Sequence, residues 1–158
     1  MAYKVFISHS TRDQGLVIAV SNLLARYGAN VAVAEWYSDK EQPISRRVTS
    51  QIRGADIVVV LLTPGGKRTN WVKKEVSVAL AARRLLIPLV ERGISARELV
   101  PLQGLKWILY DPASPERSLI DASDHIHTLR LTRPERERAL SMTGSALAFA
   151  MLHSGRAE

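Results

Sequence analysis

A chain of 158 residues is long enough for one domain with its own hydrophobic core. Its 46% apolar and 23% charged residues are the balance of a folded globular chain, and no apolar window approaches the ~18 residues that a membrane span needs. Cysteine is absent, which excludes disulfides and thiolate metal sites and suits a cytoplasmic protein. The formal net charge of +7 favours anionic partners such as phosphates and nucleotides, although arginine-rich helix faces account for much of it.

Met1 to Val5 runs directly into a strand pattern without the layout of a signal peptide. The first strand spans Tyr3 to Ser8, and Ser8 to Thr11 makes a turn. Ser10, with Asp13 three residues on, has the spacing that caps a helix N-terminus. The apolar face of that helix includes Leu16, Val20 and Leu24, and Gly28 ends it. A short second strand covers Asn30 to Glu35, followed by a polar loop from Trp36 to Pro43 and a helix from Ile44 to Arg53 closed by Gly54. Asp56 to Leu62 is an unbroken apolar run, the pattern of a strand buried on both faces. After a loop from Thr63 to Arg68, a helix runs from Thr69 to about Arg84. Leu85 to Val90 reads as a fourth strand that Pro88 would make peripheral or irregular, and Leu105 to Tyr110 as a fifth.

Five strands alternating with helices predict an α/β domain: a five-stranded parallel sheet in the flavodoxin-like order 2-1-3-4-5, with helices on both faces. Such sheets bind ligands beyond the carboxyl ends of strands one and three, where their connections diverge. Residues 1–112 form this core, and residues 113–158 form a C-terminal helical extension packed on or next to it. The extension contains a helix opened by Pro115 and a second begun by Thr132 and Glu135 at capping-box spacing. The second helix carries Leu140, Leu147, Met151 and the Gly144/Ala148 pair, which would serve either as core cover or as a surface for self-association.

Trp71 and Glu75 lie four residues apart and share a helix face just past the proposed central strand. Three stretches resemble the TIR (Toll/interleukin-1 receptor) domain family. Val5-Phe6-Ile7-Ser8-His9-Ser10-Thr11-Arg12-Asp13 is similar to its first box, and the strand ending in Leu61-Leu62-Thr63-Pro64 to its third strand. Trp71-Val72-Lys73-Lys74-Glu75-Val76, with Ala79-Leu80 and Ile87-Pro88-Leu89, resembles the segment that carries its glutamate. The likeness spans residues 3 to 110 in consistent order and looks like the prokaryotic, Thoeris-like branch.

The resemblance implies an NAD+ glycohydrolase or ADP-ribosyl cyclase of antiviral defence, with Glu75 catalytic and NAD+ as substrate rather than cofactor. It places Trp71 beside that glutamate and Ser8, His9 and Ser10 in the loop that approaches the nucleotide. It equates Tyr37 to Ser45 with the mobile loop after the second strand, but Arg-Asp-x-x-Pro-Gly is missing and only Glu41-Gln42-Pro43 stands there. That departure speaks against an animal-type adaptor. Family members often complete their sites by packing protomers together, so a homo-oligomer and a signal-sensing effector protein are expected partners. A membrane is not, and nucleic acid is not favoured.

Chemically, a carboxylate beside the ribose stabilises an oxocarbenium-like transition state and binds ribose hydroxyls. By residue type alone, Glu75 is equally an ordinary helix-surface residue and Ser10 a simple cap. His9 is as readily a hydrogen-bonding loop residue. Glu35 and Trp36 end the second strand at the same edge, as a further carboxylate and a stacking ring or as packing beneath the loop. Arg46 is placed to meet a pyrophosphate or to remain solvated. His125 and His127 are two apart, a poor metal spacing on a helix, and no metal site is expected. A non-enzymatic TIR scaffold and a related nucleotide N-ribosyl hydrolase are the competing readings.

Overall fold

The computed structural model describes residues 3–11, 14–26, 28–34, 44–111, 113–128 and 131–142. Within them the chain alternates β1 (Lys4–His9), α1 (Gln14–Arg26), β2 (Asn30–Val33), α2 (Arg46–Arg53), β3 (Ile57–Leu62), α3 (Thr69–Ala81), β4 (Leu85–Glu91), a single 3-10 turn (Val100–Leu102), β5 (Ile108–Tyr110) and α4 (Pro115–Thr128). Residues 133–142 form a further helix, α5. The five strands pair in the order β2-β1-β3-β4-β5, all parallel, as the alternation predicts.

Side chains alternate across a strand, and the two faces of this sheet divide the core accordingly. Val5, Ile7, Ile57, Val59 and Leu61 face Leu16, Val20 and Leu24 of α1. Phe6, Val58, Val60 and Leu62 face Val48 and Ile52 of α2 and Val72, Val76 and Ala79 of α3. All six residues of β3 are buried, so the unbroken apolar run does mark the sheet's centre. Each such side chain, fully buried, contributes about 1.5–3 kcal/mol. The described part of the extension packs on the same core: Ile126 of α4 and Ala139 and Met142 of α5 are buried in the α1-side cluster, and Leu140 packs against it in part, whereas Gly144, Leu147, Ala148 and Met151 lie outside the described residues. Half of the predicted capping box forms at the start of α5, where Thr132 N–H donates to Glu135 Oε2 at 2.9 Å.

Pro88, expected to mark a peripheral or irregular strand, lies in β4 between β3 and β5, opposite Val60. Register accommodates it there. β5 is three residues long and pairs with β4 only from Leu89 onward, so β4 up to Pro88 has an open flank where a missing N–H is accommodated.

The two connections at the carboxyl edge leave in opposite directions. The chain passes from β1 to α1 on one face and from β3 to α3 on the other. β1 and β3 are hydrogen-bonded neighbours, so their ends open the crevice expected at a switch point.

Candidate active site

β1 delivers Ser8 and His9 to that edge, in register with Val60 and Leu61 of β3. The loops beyond are knitted by Ser10, whose N–H donates to Leu61 O at 3.0 Å and whose Oγ accepts from Thr63 N–H at 3.1 Å. Gly66 lies so close to this serine that a Cβ there would come within 2.8 Å of the Ser10 carbonyl oxygen. Only glycine fits. On the outer side, Gly65 N–H donates to Glu98 Oε1 at 2.6 Å, and Glu98 Oε2 accepts from Ser95 N–H at 3.0 Å. The loop from 63 to 68 is therefore held from both sides.

This fixed loop ends in Arg68, which occupies the N-cap position of α3 without a side-chain cap bond. Its side chain is 2% exposed. Nη2 donates to Glu75 Oε1 at 3.2 Å, and Nη1 makes a longer contact of 3.5 Å with His9 O. Glu75 itself is 1% exposed, one helical turn after the partly buried Trp71. Burial raises the Glu75 carboxyl from an ordinary 4.5 to about 7, against the lowering pull of the Arg68 guanidinium. The Ser8 hydroxyl also favours the ionised form, although it closes no hydrogen bond of good geometry. Glu75 Oε2 and Ser8 Oγ are both buried with no hydrogen-bond partner. Orphaned buried polar atoms are costly, and a ligand carrying hydroxyl groups would satisfy both.

Comparison with known proteins gives the family of the chain. The sequence matches the TIR domain over residues 5–121, most of the chain. The chain belongs to the TIR domain family. The matched region ends within α4. Among solved structures, the TIR domains of the activated Roq1 resistosome directly recognizing the pathogen effector XopQ are similar at 16% identity. That match covers 94% of this chain and 84% of the other, at a TM-score of 0.46. No curated protein matches the chain.

Within this TIR domain the expected residues separate into groups. Glu75 and Ser8 meet in the crevice. His9 adjoins them through its backbone, but both ring nitrogens face inward: Nδ1 lies 2.9 Å from Thr11 O and Nε2 3.1 Å from Ala34 O. Burial lowers its pKa, keeping the ring neutral, so only one of these contacts carries an N–H at a time. Ser10 is buried and holds the loops together. Trp71 stacks under the Lys74 ammonium, 4.8 Å from the ring centroid. Arg46 begins α2, exposed, and shares no hydrogen bond or ion pair with Glu75 or Ser8. Glu35, Trp36 and the loop from Tyr37 to Pro43 lie outside the described residues. Among the described residues no three carboxylate or imidazole groups gather to hold a metal ion.

Arg68 is the residue sequence reasoning missed. Its signal was spacing, since it stands seven residues before Glu75, two helical turns along one face.

Proposed function

We propose that this TIR domain is an NAD+ glycohydrolase or ADP-ribosyl cyclase, acting in the cytoplasm in antiviral defence, with Glu75 as its catalytic group. The supporting observation is Glu75 itself: a buried carboxylate in a TIR crevice, held by Arg68 on one oxygen and unpartnered on the other. In the proposed reaction the bond between nicotinamide nitrogen and ribose breaks, and its electron pair leaves with nicotinamide. The ionised carboxylate opposes the positive charge that develops on the ribose, and its free oxygen with Ser8 Oγ binds ribose hydroxyls. Water attacking the ribosyl carbon and losing a proton gives ADP-ribose. A substrate nitrogen attacking instead gives a cyclic product. Trp71 would stack on a ring of the substrate and exclude water. Assembly of several copies would complete the crevice.

The second reading, a non-enzymatic scaffold, draws on the near-complete burial of Glu75, which a purely structural ion pair would also produce. The test is nicotinamide release from NAD+ by the purified protein, repeated under crowding. Release that disappears in Glu75→Gln supports the enzyme. No release at high protein concentration favours the scaffold. Cleavage of nucleoside monophosphates without cleavage of NAD+ would point to a related N-ribosyl hydrolase.

A further inference from the structure

The opposite edge of the sheet carries a separate cleft of about 430 Å³, within the size range of small-molecule sites. It opens beneath the start of β3 and β4, where α3 ends and α5 crosses. Along the axis of α3, Glu75 and Arg83 are separated by roughly 12 Å at 1.5 Å per residue. Three arginines converge on this cleft, Arg83, Arg84 and Arg138. Its floor is apolar, made by Ile57, Leu85 and Leu131.

The arginines are not equivalent. Arg84 is oriented by its own donors, Nε to Ala82 O at 3.0 Å and Nη1 to Ala55 O at 3.4 Å. The side chains of Arg83 and Arg138 make no hydrogen bond or ion pair among the described residues. The two carboxylates of the cleft form no ion pair with them among the described residues, each being held instead by a backbone N–H, Asp56 by Lys4 at 2.8 Å and Glu135 by Thr132 at 2.9 Å, so the three arginines outnumber the two carboxylates.

Arg83 also occupies an unfavourable backbone. Its φ of 55° is the only positive value at a non-glycine residue among those described. It sits where α3 closes with paired bonds, Arg83 N–H to Leu80 O and Arg84 N–H to Ala79 O, at the position glycine usually fills. A left-handed backbone costs an ordinary side chain about 1–2 kcal/mol, so an arginine here is kept against the local preference. Its guanidinium is then presented at the mouth of the cleft.

We propose that this cleft is a second site, binding an organic phosphate of nucleotide size. The guanidiniums grip the phosphate, Arg84 pre-oriented and Arg83 and Arg138 closing on it. Ile57, Leu85 and Leu131 receive the organic body. Asp56 and Glu135 retain lone pairs that can accept sugar hydroxyls. The site is independent of any reaction at Glu75.

Titration calorimetry with AMP, ribose 5-phosphate and inorganic phosphate on the full chain tests it. AMP is expected to bind the unaltered protein more tightly than inorganic phosphate does. Arg83→Gly and Arg138→Gln should each weaken AMP about tenfold, while thermal melting shows both variants folded and Arg83→Gly at least as stable as the parent. Loss of affinity without loss of stability is what a merely structural arginine would not give. Unchanged AMP affinity in both variants, as a nucleotide bound in the Glu75 crevice would show, overturns the proposal. So does failure of AMP to bind the unaltered protein at millimolar concentration, or inorganic phosphate binding as tightly as AMP.

Discussion

At the carboxyl end of the sheet Arg68 and Glu75 face each other with 2% and 1% of their side chains exposed, whereas at the amino end Arg83 and Arg138 stand exposed and unpaired over a cleft. In the first place the environment acts on the charge itself. Desolvation lifts a carboxyl to about 7, and one buried cation keeps it from rising further. In the second, solvent screens each charge, and only an incoming anion would bring the guanidiniums together. A group tuned by burial is suited to chemistry, because its charge state is poised near neutral pH. A group left in solvent is suited to capture. The difference arises along α3: Val72 and Val76 bury the helix against β1 and β3 on either side of Glu75, and beyond its end the chain passes through the left-handed, exposed Arg83.

The contrast can be broken most severely at Arg68. Arg68→Met removes the cation that favours the ionised carboxylate, so the Glu75 pKa rises above about 7. Turnover at neutral pH should fall about tenfold or more, and the pH midpoint of activity should move to higher pH. The carboxyl can neutralise itself by taking a proton, which limits the loss of stability to about 1–3 kcal/mol. A pH–rate profile together with urea unfolding checks both. An unshifted midpoint would detach Arg68 from the charge state of Glu75.

The next effect is on stability against pH. The folded pKa of Glu75, about 7, stands above the ordinary 4.5. Between those values the folded chain holds a proton that the unfolded chain has lost, so stability falls as pH rises through the window and levels off above it. The full change is on the order of 3 kcal/mol. Urea midpoints of the parent should decline relative to Glu75→Gln between pH 5 and 7.5. Parallel curves would mean the carboxyl is solvated.

Trp71→Ala sharpens the division of labour on α3. Losing the Lys74 contact should cost about 1 kcal/mol of stability. Loss of the proposed stacking should raise KM about tenfold, with a smaller change in kcat. Steady-state kinetics separate the two.

The smallest effect belongs to the amino end. Arg83→Gly relieves the left-handed backbone and should stabilise the chain by up to about 1 kcal/mol. A lower melting temperature would mean that the side chain supports the fold.

The layers of this molecule were written plainly in its sequence. The run from Ile57 to Leu62 could only be a strand covered on both faces, and Trp71 with Glu75 could only share a helix face just beyond it. Strand order followed from the alternation of elements. Pro88 signalled a peripheral or irregular strand without showing which, because whether a proline is tolerated depends on where the distant β5 begins to pair. Arg68 stayed hidden for a related reason. Its burial depends on β1 and β3 meeting beside α3, and an arginine in a loop is solvated unless such a contact is known. His9 stood open between a nucleotide-approaching and a hydrogen-bonding loop residue, because the carbonyls of Thr11 and Ala34 that lie against its ring are distant in sequence from each other.

The most direct measurement is nicotinamide release from NAD+ by the parent protein and by Glu75→Gln, side by side at pH 7.5 and under crowding. A carboxylate acting on the transition state predicts release by the parent and a loss of at least about 100-fold in the variant, with folding intact. Equal release by both proteins would contradict the assignment of Glu75.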